Sequence, residues 1–151
     1  MLKNIIFDFD GVIVDSEILA AKAFSTYFSK LGHSYKEEDF FIYSGMKTFE
    51  VINELSKKFK INDKKKFTEQ IYQIISKLYF KDLKLVHGAK EFIINSNKNK
   101  FIGSNSNKDR IIEGLKIVGL SKIFINKKIY SFDMVKKPKP NPDIYLKIIY
   151  D

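Results

Sequence analysis

Residues Ile5–Glu17 read IIFDFDGVIVDSE, an apolar run that ends in carboxylates. Ile5, Phe7 and the residues before them are expected to form a buried strand over about Lys3–Asp8. Two carboxylates, Asp8 and Asp10, then arrive at its C-terminal end. Residues two apart on a strand point to the same side, so the pair can face one small volume if the extended geometry persists. Gly11 follows at once, where a chain leaving a strand can use backbone angles closed to other residues. An ordinary strand with an Asp-Gly turn is also written this way, but it does not account for an aspartate inside an apolar segment. Two carboxylates held together repel, which calls for a shared proton or a bound cation.

Beyond this stretch, Ser16 is expected as a helix N-cap with Glu17 in the first turn. Ala20, Phe24, Tyr27, Phe28 and Leu31 recur at helical spacing behind it, and Gly32 closes the helix. Further helices are expected over Lys47–Phe59 and about Asp63–Phe80, and nothing between residues 17 and 80 reads as a strong strand. The aromatic stripe Phe24/Tyr27/Phe28 belongs to the core of this helical region. The pattern then changes. His87-Gly88 opens a short helix to about Asn95, Lys100–Gly103 reads as a buried strand, and Ser104–Asn107 leads into a helix closed by Gly119. Ile129–Ser131 is the better of two later strand candidates, and a last helix is expected with Asn141 as cap and Pro142 at its first position. Strand, helices, strand, helix, strand, helix describes an α/β core with a parallel sheet. Ligands on such sheets bind at the C-terminal ends of the strands, where Asp8, Asp10, Ser104 and the segment around Lys139 all fall.

Composition narrows the classes. With 44% hydrophobic residues in 151, the chain can pack a core of one domain with an inserted subdomain. No apolar run approaches the roughly 20 residues that span a bilayer, and Asp8 and Asp10 interrupt any signal-peptide core. The absence of cysteine excludes disulfides and thiol catalysis and fits a cytoplasmic protein. The net charge of +9 comes from scattered lysines, with Lys64–Lys66 the one run and Arg110 the one arginine. That pattern is a lysine-rich bias, and no nucleic-acid or membrane partner is expected from it.

The stretch DFDGVIVDSE resembles the first motif of the haloacid dehalogenase-like hydrolases, in the branch of sugar phosphatases and β-phosphoglucomutase. The resemblance extends through Ser104 in GSNSNKDR, like the family's second motif, and Lys139–Asp143 in KPNPD, like its third. It implies a Rossmann-like parallel sheet core from residues 1–16 and 81–151, with residues 17–80 inserted as an α-helical cap. It also implies a Mg²⁺-dependent phosphatase acting on a small phosphorylated metabolite, a sugar phosphate. Asp8 would be the nucleophile that carries the phosphoryl group, and Asp10 the general acid/base. Mg²⁺ would be held by Asp8 and by Asp10 through its carbonyl. Ser104, Asn105 and Lys139 would bind phosphate, with Lys139 also stabilising the transferring group. Ser44-Gly45-Met46-Lys47 falls where the family has a specificity loop, which makes Lys47 a candidate substrate contact.

One departure stands beside these matches. The family's fourth motif, a later strand ending in an acidic pair that completes the metal site, has no counterpart before Asp151. The expectation is therefore either a fragment or shortened product of a longer ancestor or a chain whose missing part another chain supplies, with the first strand at a sheet edge. A phosphomutase is the alternative activity, and a remnant that binds phosphate or a partner without turnover is the non-catalytic one. Family mutases tend to carry a histidine shortly after the first motif, where this chain has Ile18-Leu19-Ala20-Ala21, which favours hydrolysis.

Overall fold

A computed structural model describes residues 3–151. In chain order the elements are β1 (Asn4–Phe7), α1 (Glu17–Lys30), α2 (Thr48–Lys58), α3 (Lys64–Asp82), α4 (Ala89–Asn95), β2 (Asn99–Ser104), α5 (Lys108–Ile117), β3 (Ile129–Ser131) and α6 (Asp143–Tyr150). The chain divides into two compact units. One contains the segment up to Asp15 together with Leu83–Asp151, and the other is Ser16–Asp82.

The first unit is built on three parallel strands in the order β1-β2-β3, with β1 at one edge as expected. Register pairs Ile6 with Phe101 and Gly103 with Tyr130, and since side chains alternate these four share one face of the sheet. Ile144 and Ile148 of α6 pack on that face, in a cluster with Tyr130, Ile6 and Phe101. Gly103 is what lets the helix come so close. A Cβ there would stand 3.1 Å from side-chain atoms of both Ile144 and Ile6, and 3.3 Å from Ile148. On the opposite face Phe7 meets Phe92 of α4 and Phe124 edge to face, with ring centres 6.1 and 6.0 Å apart.

Most boundaries lie within one or two residues of expectation, and two of the differences have a clear physical cause. The first strand stops at Phe7, one residue short of Asp8. The Asp8 carboxylate accepts the N–H of Phe9 at 2.7 Å, and the Phe9 carbonyl accepts the N–H groups of Val12, Ile13 and Val14. These bonds replace strand pairing and curl the chain, with Gly11 at φ +74° completing the turn. At the last helix, Pro142 and not Asn141 occupies the cap position. The Asn141 side chain instead donates to the carbonyl of Pro138 at 3.1 Å, which closes the Pro138–Asn141 turn.

The second unit is helical, as its periodicity predicts. Phe24, Phe28, Phe40, Val51, Ile52, Leu55, Phe67 and Ile71 form its buried core. Phe28 sits at the centre, with its ring against those of Tyr27, Tyr35, Phe40, Phe59 and Phe67. A 3₁₀ segment over Glu37–Tyr43, unforeseen in the sequence, delivers Phe40 to this core. Lys22 of α1 donates to Asp82 at the end of α3 at 2.6 Å, and that bond holds the ammonium above its usual pKa.

The close seat of α6 on β2 gives a stability test. Gly103→Val should lower stability by about 1–3 kcal/mol, the usual cost of overpacking a filled core, read from the denaturant midpoint. An unchanged midpoint would mean that α6 does not pack this tightly.

Candidate active site

Three segments of the first unit bring the polar residues together at the C-terminal ends of β1 and β2. Asp8 and Asp10 come from the turn after β1. Ser104 ends β2 and, with Ser106 and Asn107, leads into α5. Lys139 lies in the segment before α6, where its bond to Pro140 is cis. Each carboxylate has its own cation. Lys139 Nζ stands 2.8 Å from Asp8 Oδ2, and its side chain is largely buried, 15% exposed against 42% for Asp8. Arg110 Nη2 donates to Asp10 Oδ1 at 3.2 Å, and the Ser106 hydroxyl donates to Asp10 Oδ2. The repulsion between adjacent carboxylates is thereby offset on both sides.

The loop after β2 is fixed by short-range bonds. Ser104 Oγ accepts the N–H of Ser106 at 3.1 Å, and the Asn107 side chain caps α5 by accepting the N–H of Arg110 at 2.8 Å. The Asn105 side chain makes a paired contact with the main chain of Lys139. Its Nδ2 donates to the Lys139 carbonyl and its Oδ1 accepts the Lys139 N–H, both at 2.9 Å. The Asn105 side-chain amide is thus engaged in holding Lys139. Asp143 anchors the other side of the segment by accepting the N–H of Lys137 at 3.2 Å.

The structure therefore gathers Asp8, Asp10, Ser104, Asn105 and Lys139 in one unit. Lys47 belongs to the second unit, at the N-terminus of α2, where its N–H donates to Glu50 at 3.2 Å and its ammonium lies 6.0 Å from the centre of the Phe49 ring. His33 and His87, given no role from the sequence, are both exposed. Arg110 and Ser106 are the partners that sequence reasoning missed. A signal existed in the chain's one arginine lying just behind the Ser104 loop. Ser131, paired in register with Ser104, has a buried hydroxyl with no hydrogen-bond partner.

A metal here would depend on few protein oxygens. Among the described residues no three His, Asp or Glu side chains converge on a point. The Asp8 carboxylate and the Asp10 main-chain carbonyl are oxygen donors of the type Mg²⁺ prefers. That ion is commonly held by one or two carboxylates with water and substrate phosphate completing the shell, so the donor set fits.

The model of the haloacid dehalogenase-like hydrolases matches residues 5–151. The chain belongs to that family. Among curated relatives, the 6-phosphogluconate phosphatase of Escherichia coli K12 is 24% identical over 143 residues, covering 93% of this chain and 64% of that protein. The phosphorylated carbohydrates phosphatase of Thermotoga maritima is 28% identical over 153 residues, covering 98% of this chain and 69% of that one. A haloacid dehalogenase-like protein of unknown function from Agrobacterium tumefaciens superposes with a TM-score of 0.84 at 29% identity, over 99% of this chain and 68% of its own. The chain thus spans about two thirds of the length of these relatives. Among the described residues no helix is long and apolar enough to cross a membrane.

The Asn105 clamp predicts a local change. In Asn105→Ala the Lys139 amide should exchange with deuterium faster than in the parent protein, because its acceptor is gone. Equal protection in both would mean that the clamp does not form in solution.

Proposed function

We propose that this protein is a phosphatase for a small phosphorylated metabolite, a sugar phosphate, working through an aspartyl-phosphate on Asp8. The observation that carries this reading is the pairing of Asp8 with Lys139, a largely buried cation, beside a second carboxylate at the rim of a parallel sheet. Membership of the family and its two phosphatase relatives support it.

In this reading an Asp8 oxygen attacks phosphorus as the bond to the leaving oxygen breaks. Asp10 gives its proton to that oxygen. A water then loses a proton to Asp10, its oxygen attacks the same phosphorus, and Asp8 is released with inorganic phosphate. Lys139 balances negative charge on the transferring group throughout. The Ser104 hydroxyl and the backbone N–H groups of the Ser104–Asn105 turn receive phosphate oxygens. Asp8 and the Asp10 carbonyl would hold Mg²⁺, which when bound supplies charge neutralisation between nucleophile and phosphate. The helical unit Ser16–Asp82 would act as the cap that selects substrate, with Lys47 contacting it. The absence of cysteine suits work in the cytoplasm. The engagement of Asp8 with Lys139, and of both Asp10 oxygens with Arg110 and Ser106, favours as a second reading a chain that binds phosphate without turning it over.

Hydrolysis of 4-nitrophenyl phosphate by the purified protein decides between the two. Turnover should need Mg²⁺ and should fall by at least about a thousandfold in Asp8→Asn, the scale on which loss of a nucleophile is felt. Magnesium-dependent turnover surviving in Asp8→Asn would refute the covalent role, and a folded but inactive parent would favour the binding reading. Lys47→Ala should change the ranking of kcat/KM across a panel of sugar phosphates, whereas an equal loss on all of them would remove it from specificity.

A further inference from the structure

We propose that Arg110 is a positioning residue for Asp10, holding the acid/base carboxylate where it serves the leaving oxygen. The proposal rests on the phosphatase reading above and adds to it a residue that acts through another.

The geometry comes from a single seven-residue stretch, Ser104–Arg110. Arg110 binds Asp10 Oδ1 and Ser106 binds Oδ2, so the two carboxylate oxygens are fixed from different directions. Both anchors are themselves anchored. The Ser106 N–H is tied to Ser104 Oγ, and the Arg110 N–H is tied to the Asn107 side chain in the first turn of α5. A rigid helix turn and a braced loop thus share one carboxylate between them.

The identity of the residue matters. The chain carries 27 basic residues, and 26 of them are lysines. A lysine offers a flexible point charge, whereas the planar guanidinium fork directs its N–H groups and loses less freedom per bond formed. The single arginine is spent on the carboxylate that must present a proton in one direction. The ion pair is partly exposed, about a third on each side chain, so its effect on stability is small. Its value lies in orientation. Asp8 does not share this arrangement, since its cation is Lys139.

Proton donation matters most when the leaving oxygen is a poor leaving group, which separates positioning from general damage. The test compares kcat/KM for glucose 6-phosphate, an alkyl phosphate, with that for 4-nitrophenyl phosphate, whose phenolate leaves readily. In Arg110→Ala the loss on the alkyl phosphate should exceed the loss on the aryl phosphate by about tenfold or more, part of the 10²–10⁴ that general acid catalysis supplies. Arg110→Gln, closer in size and polarity, should show the same split and replaces the alanine variant if that one does not fold. An equal loss on the two substrates, or no loss on either, would overturn the proposal while leaving the phosphatase reading in place. A parent protein that hydrolyses neither substrate would overturn both.

Discussion

Two aspartates separated by one residue at the end of a strand repel each other, and most of the first unit answers that repulsion. Asp8 draws in Lys139 from a segment more than a hundred positions along the chain, and Asp10 draws in Arg110 from α5. For those cations to arrive, β2 must lie beside β1 and α6 must lie against the sheet. The apolar face that seats α6 and the polar rim that receives Lys139 are therefore two ends of one requirement. Gly103 serves the first by omitting a side chain, and Ser104, the next residue, serves the second by supplying one.

The helical unit follows a different logic. Its residues are organised by burial, with aromatic rings closing around Phe28 and few charged contacts inside. The unit enters the chain between Asp15 and Leu83, next to the turn that carries the carboxylates. Nothing in its core depends on the chemistry of Asp8 or Asp10. A core of this kind can tolerate changes in its surface residues, Lys47 among them, because its stability rests on the buried rings.

Much of this was legible in the sequence because it rests on local signals. Helical spacing of Phe24 and Phe28, glycine stops at Gly32 and Gly119, and the apolar runs ending at Asp8 and Ser104 are each written within a few residues, whereas Leu31, expected on the same apolar face, caps α1 and is exposed. The candidate site followed from polar residues placed just beyond strands. What escaped depends on partners far apart or on side chains competing with the backbone. Asp8 ends its own strand by capturing the Phe9 N–H, a local bond that periodicity does not encode. The Glu37–Tyr43 segment is too short and too irregular to announce itself by period. Arg110 and Asp10 lie 100 positions apart, and only the folded sheet brings them into contact. The paired contact of the Asn105 side chain with the main chain of Lys139 likewise joins positions that only the fold brings together.

That last contact has a consequence for how the site can change over generations. Both of its hydrogen bonds end on main-chain atoms, so the clamp is indifferent to the side chain carried at position 139. Charge and geometry are separable there: replacing the lysine alters the electrostatics and keeps the anchor, while replacing the asparagine loosens the anchor and keeps the charge. A substitution at position 139 can therefore change what the rim attracts while leaving its main-chain frame in place.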